Sequence, residues 1–425
     1  MRVLFACYPE KTHFLAMAPL AWALRAAGHD VCFASQPKFV PEITRAGLTA
    51  VAVGGNRDLW QVMTRDPDWL DNGVAGWPEP YAAADETDTS AITWERLHDG
   101  YAFQVTRWHK MTNVPLMADL VEFARQWRPD LVLWEPSTYA AAVAAKACGA
   151  AHGRVLFGVD VFGVTRERFL RLRDERSGER RSDPLAEWLG AYAGKYGTEF
   201  GEDLVTGQFS VDLMPRFLQT EAALKYVPVR YTPYGGAAVV PQWLRDEPER
   251  PRVALTTGLS SAEYDTEHAV RARDVLDALT GLDVEVVATV SAGAREGLGP
   301  VPDRVRLVEF VPMQPLLATC SAIVHHGGFG SLCTAALQGV PQLVLPYDCD
   351  EPVLAERLAA RGGALALHAT RATADGIRER VRRLLTEPSF ARCAEDVRRE
   401  LAAVPGPHQL VKRLEDLAAR HRRRR

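Results

Sequence analysis

The stretch VHHGGFGSLCTAALQGVPQLVLPYDCDEP, Val324 to Pro352, decides how this chain is read. A short apolar run from Ala322 to Val324 leads into two histidines and a Gly-Gly-Phe-Gly-Ser loop, and Leu332 to Gln338 is helix-compatible. The first N–H groups of a helix have no intrahelical partner, and the helix dipole adds partial positive charge there. Glycines let backbone come close to whatever binds. Together these features describe an anion site, and the adjacent histidines suit a diphosphate. A glycine loop alone often does no more than turn the chain. Here a second strand, Gln342 to Leu345, and an acidic segment, Asp348 to Glu351, complete a strand–loop–helix–strand unit.

The same alternation extends outward in both directions. Strands are predicted at Val3 to Cys7, Asp30 to Ala34, Leu48 to Val53, Leu131 to Trp134 and Ala151 to Phe157. Helices fall between them at Ala16 to Ala27, Lys38 to Ala46 and Ser137 to Cys148. Residues 56–88 read as long loops, and Trp94 to Trp127 as helical, interrupted at Pro115. The Arg-rich 165–184 segment is expected to be a mobile surface segment. Residues 227–251 hold five prolines and read as an interdomain linker. The pattern restarts at Arg252 and runs through strands near 283–289, 305–309, 321–325, 342–345 and 364–367. Strands alternating with helices imply parallel sheets covered on both faces. The expected fold is α/β, with two doubly wound, Rossmann-like domains facing across a cleft at the carboxyl ends of their strands. The expected bounds are 1–226, a 227–251 linker, 252–405, and a C-terminal helix and basic tail over 406–425.

Composition narrows the function classes. The net charge of −4 gives no general case for nucleic acid, and the terminal Arg420 to Arg425 run reads as a solvated tail. Seven scattered cysteines without a CxxC pair argue against a disulfide framework or structural zinc, and for a cytoplasmic protein. No apolar run is long enough to span a bilayer, and the opening residues are too short for a signal-peptide core.

Three segments carry a family resemblance: Pro19-Leu-Ala-Trp-Ala-Leu-Arg-Ala-Ala-Gly-His29, Trp127-Arg-Pro-Asp-Leu-Val-Leu-Trp-Glu-Pro136, and 324–352. The chain resembles the inverting, metal-independent glycosyltransferases of natural-product biosynthesis, whose two-domain fold is called GT-B. It is most similar to actinobacterial enzymes that place deoxyhexoses on polyketides, including macrolide desosaminyl and mycaminosyl transferases. The resemblance implies no cofactor, a dTDP-deoxysugar donor and an apolar acceptor. It makes His13, after the first strand, the catalytic base, and Glu135, closing another strand, the carboxylate that orients it. His326, Gly327, Gly328, Gly330 and Ser331 would cradle the donor diphosphate, with Thr257, Gly258 and Ser260 closing the site. His325 is either a ligand contact or a packing neighbour that sets a tautomer. Asp350 and Glu351 match a pair that contacts the transferred sugar, and the acidic second member suits an amino-bearing or less hydroxylated sugar.

Where UDP-sugar enzymes carry a ribose-gripping glutamate this chain has Thr334, and Phe310-Val311-Pro312-Met313 ends in Met where they carry Gln. Sites built for a hydroxyl lose by its absence, so these exchanges suit the deoxyribose of dTDP. Trp60, Trp69, Trp77 and Tyr81 are the candidate acceptor contacts. Asp348-Cys349-Asp350 mimics a metal-binding Asp-x-Asp, a reading set aside for its place after the phosphate unit. Transfer to an aromatic carbon, nucleotide-sugar 2-epimerisation and a non-catalytic donor-binding subunit are the alternatives. The resemblance also brings in a haemless cytochrome P450-like helper protein, for which the stripe Trp94, Leu97, Tyr101, Val105 and Trp108 is the expected docking face. It leaves a homodimer open.

Overall fold

Alternating strand and helix segments resolve into two parallel sheets in the computed structural model, which describes residues 1–56, 76–176, 181–256, 258 and 272–422. The chain divides into two units, Met1–Arg230 with Pro405–Arg425, and Tyr231–Val404.

The first sheet holds β1 (Arg2–Ala6), β2 (Asp30–Ser35), β3 (Thr49–Ala52), β4 (Leu131–Trp134), β5 (Ala151–Leu156), β6 (Ser210–Asp212) and β7 (Tyr226–Pro228). Their order is β3-β2-β1-β4-β5-β6-β7. Val3, Leu4 and Phe5 and all of β4 are fully buried, as continuous apolar strands are when helices cover both faces. The helices of this unit are α1 (Lys11–Ala26), α2 (Val40–Arg45), α3 (Trp94–Gln104), α4 (Lys110–Trp127), α5 (Tyr139–Cys148), α6 (Val161–Asp174), α7 (Pro184–Lys195) and α8 (Asp203–Thr206).

Three expectations change here. Pro115 lies inside α4 and does not end it; a π turn, Val105–His109, joins α3 to α4, so one helical path runs from Trp94 to Trp127. Proline removes one ladder bond and crowds the preceding turn, and packing of α4 along α5 holds the helix through it. The Arg-rich 165–184 segment belongs largely to α6 and the start of α7. Arg166 is 1% exposed and donates to both carboxylate oxygens of Asp183 (3.0 and 2.7 Å) and of Glu202 (2.8 Å each). Local charge reads as solvent-seeking, yet tertiary pairing satisfies it indoors. The proposed docking stripe also faces inward. Trp94, Leu97, Tyr101 and Val105 are buried, with Trp94 stacked on Phe169 at 5.0 Å, and only Trp108 of the stripe is partly exposed.

The second sheet runs β10-β9-β8-β11-β12-β13, with β8 (Arg252–Thr256), β9 (Glu285–Thr289), β10 (Val305–Val308), β11 (Ala322–His325), β12 (Gln342–Val344) and β13 (Ala364–Ala366). Its helices are α9 (Ala272–Thr280), α10 (Ala292–Glu296), α11 (Met313–Leu317), α12 (Phe329–Gln338), α13 (Glu351–Ala360), α14 (Ala374–Thr386) and α15 (Pro388–Ala403). The Pro-rich 227–251 stretch is not all linker. Its start completes β7, an edge strand where proline's missing donor is tolerated, and Leu244 is buried in the core of the second unit. The last helix, α16 (Pro407–His421), packs on α1 and β5 of the first unit.

Candidate functional site

In the first sheet the strand order reverses between β1 and β4, which pair with Ala6 opposite Trp134. Open α/β sheets bind ligands at such a switch point, beyond the carboxyl ends of the strands. The chain leaving β1 enters α1 within a few residues, so His13 sits in the first helical turn and not in the preceding loop. Glu135 follows β4 directly. The His13 Nδ1 lies 3.8 Å from Glu135 Oε2, with the imidazole 26% exposed and the carboxylate 1% exposed. The imidazole rests on Phe157, ring centres 4.3 Å apart.

The carboxylate is held by donors from two loops. Ser137 N–H reaches Oε2 at 2.8 Å, while the Ser137 hydroxyl at 2.7 Å, the Tyr8 N–H at 3.4 Å and the Thr138 hydroxyl all reach Oε1. A fixed, buried carboxylate behind one imidazole nitrogen leaves the other nitrogen to take a proton. At 3.8 Å the pair is an ion-pair contact longer than a hydrogen bond, and such contacts tighten when substrate closes a site.

In the second sheet the reversal falls between β8 and β11, with Thr256 opposite His325. The two chains leaving these strands meet at His326. A Cβ on Gly258 would lie 2.5 Å from the His326 ring, and one on Gly328 would also lie 2.5 Å from it, so the imidazole fits between two residues that must lack side chains. Gly258 has φ +90° and Gly327 φ +117°, conformations that L side chains rarely adopt. Gly328 is the N-cap of α12 and no side chain caps this helix. Its first-turn N–H groups, at Gly330 and Ser331, thus receive no bond from an N-cap side chain, and the helix dipole adds partial positive charge there.

His325 has a structural task. It is 1% exposed; Gly327 N–H donates to its Nδ1 at 3.1 Å, so its Nε2 carries the hydrogen and donates to Gln342 Oε1 at 2.9 Å. Burial lowers its pKa to about 4, which keeps the ring neutral. It shapes the Gly327 turn and does not reach out to a ligand.

Glu351 opens α13 and turns toward the same loop. Its Oε1 is 3.7 Å from His326 Nε2, and its Oε2 accepts from Tyr347 and Asp348 N–H at 3.0 and 3.1 Å. Burial, with Asp350 and Asp348 nearby, pushes its pKa up to about 7 against the pull of those two N–H groups. Asp350 precedes it as the helix N-cap. Thr334 is buried, its hydroxyl donating back to the Gly330 carbonyl at 2.5 Å. Phe310 is 47% exposed, Met313 half-buried at the start of α11, and the Val311 side chain is buried in the core of the second unit.

Of the acceptor candidates, Trp77 is partly exposed and packs edge-on against Tyr81 and Phe162. Tyr81 is 3% exposed with its hydroxyl 2.6 Å from His109 Nε2, which makes it core. Thr257, Ser260, Trp60 and Trp69 lie outside the described residues. Sequence reasoning missed Ser137 and Thr138, although a hydroxyl pair two and three residues after a strand-end carboxylate is a readable turn signal. Among the described residues no three His, Cys, Asp or Glu side chains gather as a metal cage. No described helix is long and apolar enough to cross a membrane.

Known proteins match this arrangement over the whole chain. Residues 22–258 match the N-terminal domain of the family described as Erythromycin biosynthesis protein CIII-like, and residues 273–417 match its C-terminal domain. The 10-deoxymethynolide desosaminyltransferase of Streptomyces venezuelae is 44% identical over 427 residues, covering 100% of this chain and 98% of that one. The Aclacinomycin-T 2-deoxy-L-fucose transferase of Streptomyces galilaeus is 42% identical, covering 100% and 97%. The crystal structure of glycosyltransferase VinC in complex with dTDP superposes with a TM-score of 0.87 at 41% identity, over 99% of this chain and 100% of that one. The architecture is therefore GT-B, and the chain belongs to the Erythromycin biosynthesis protein CIII-like family of antibiotic-biosynthesis glycosyltransferases.

Proposed function

We propose that this protein moves a deoxysugar from a dTDP-sugar to a hydroxyl of a polyketide-type aglycone, with inversion at the anomeric carbon. The observation that carries the reading is the His13–Glu135 pair at the switch point of the first sheet. His13 takes the acceptor hydroxyl proton as the oxygen bonds to the anomeric carbon. The bond from that carbon to the diphosphate breaks, and dTDP leaves from the opposite face. Glu135 holds the imidazole and stabilises its charge once protonated. The anomeric centre is oxocarbenium-like in passing, as in glycoside hydrolysis. Charge developing on the diphosphate meets His326 and the N-terminus of α12, whose dipoles are fixed before the reaction.

Relatives whose names specify desosaminyl and 2-deoxy-L-fucose transfer support a deoxyhexose donor. The buried, inward-bonded Thr334 offers no carboxylate to a ribose diol. The test is incubation of the purified protein with several dTDP-deoxysugars and macrolide or anthracycline aglycones, scored by dTDP release and product mass. A matching aglycone that yields dTDP only in its presence supports the reading, whereas no turnover across the set counts against it. His13→Ala is expected to cut turnover about a hundredfold or more, the scale of a lost general base, with dTDP affinity unchanged. Near-normal turnover would move the base elsewhere.

A further inference from the structure

The loop that holds Glu135 is itself held from behind. Asn113, on α4 and fully buried, directs its Nδ2 hydrogens to the carbonyls of His109 (3.0 Å) and Ser137 (2.9 Å), with Thr112 Oγ1 at 3.1 Å, and its Oδ1 accepts from Ala140 N–H at 2.8 Å. Two carbonyls on one side and an N–H on the other fix which end of the amide is which. One side chain thus ties the last residue of the π turn to both ends of the segment 137–140. Ser137 gives Glu135 both its N–H and its hydroxyl, so a shift in that segment moves the carboxylate and with it the His13 contact. Single-turn π irregularities frequently mark functional sites. Here the turn delivers the His109 carbonyl to the amide that steadies the segment.

We infer that Asn113 is a positioning residue for the transfer step, acting through Ser137 on Glu135 and thereby on His13. The inference rests on reading His13 and Glu135 as the base and its orienting partner. Asn113→Asp places a carboxylate oxygen against two carbonyl oxygens, and Asn113→Ser withdraws the amide while keeping one hydroxyl donor.

The test uses the whole chain with a dTDP-sugar and acceptor that turn over, comparing these variants with Glu135→Gln alone and in combination. In folded variants kcat is expected to fall about tenfold or more, the scale of a misplaced supporting group, while KM for the dTDP-sugar stays put. The pH dependence of kcat is expected to shift as it does in Glu135→Gln. In the Glu135→Gln background, Asn113→Ser is expected to cost nothing further, because its route to His13 is already cut. If Asn113→Asp fails to fold, Asn113→Ser carries the same cycle. Wild-type kcat in a folded Asn113 variant overturns the inference, as does a full multiplicative loss in the Glu135→Gln background. If Glu135→Gln alone keeps wild-type kcat, the pairing of His13 with Glu135 is what has failed, and the inference falls with it.

Discussion

Glu351 stands where three charges compete. Burial, Asp350 and Asp348 favour its neutral form, while the N–H groups of Tyr347 and Asp348 favour its charge. A carboxyl raised from 4.5 to about 7 binds a proton in the folded state that the unfolded chain has released. Its contribution to stability is therefore fully present below the unfolded value and is lost as pH rises through 7. A diphosphate beside it adds to the same bias, since the charged carboxylate repels it. Affinity for dTDP is thus expected to decline from about pH 6 to 8, and Glu351→Gln to flatten the decline; calorimetric titration across that range checks both. Unchanged pH dependence in Glu351→Gln would take Glu351 out of the effect. The Thr334 hydroxyl, spent on its own helix, leads to a second expectation: dTDP binds more tightly than UDP, and equal affinities by calorimetry would remove the argument. His13, Glu135 and His326 entered as candidates through the family resemblance; Glu135 follows the end of β4 and His326 the end of β11, while His13 sits in the first turn of α1. Asn113 was not legible, because hydrogen bonds to partners 24 and 27 residues away leave no periodic trace, whereas Ser137 and Thr138 bond Glu135 locally and were readable but overlooked.

Elements place these groups, and the sharpest placement is the turn after β11. The His326 imidazole occupies the space that side chains at Gly258 and Gly328 would fill. Gly258→Ala is expected to push the ring aside and strain a backbone at φ +90°. Losing one charge-assisted phosphate bond costs about 1.5–3 kcal/mol, read as roughly tenfold or more weaker dTDP binding; an unchanged Kd would show that the ring does not grip the nucleotide. The strands expected from the sequence were placed to within a residue or two, since apolar runs bounded by Gly and Pro repeat in both halves, but the three-residue β6 and β7 were too short to show a pattern. Helix α6 was hidden by its own arginines: Arg166 finds Asp183 and Glu202 only after folding. Pro115 misled in the opposite direction, since a local helix breaker is overridden where the helix is packed along its length.

At the scale of the molecule, the first unit depends on its most distant sequence. Leu410, Val411, Leu414, Leu417 and Ala418 of α16 are buried in it. Full burial is worth about 1.5–3 kcal/mol for each large aliphatic chain, so their sum rivals the 5–15 kcal/mol that holds a typical domain together. Truncation after residue 404 is expected to unfold or severely weaken the first unit, seen as loss of its cooperative thermal transition; an unaltered transition would mean that α16 is dispensable. The two-domain pattern was visible in the sequence, but this return was not, because an amphipathic helix does not announce which core it will join. The clasp is concrete: Arg230 N–H bonds the Pro405 carbonyl at 2.8 Å, joining the points where the chain leaves and re-enters the unit. On the ribosome, the first-made half must therefore wait, its α16 groove empty, until the second half has been synthesised. A stop codon anywhere within the second unit also deprives the first of α16, and the nascent first half is the stage at which a chaperone has most to cover.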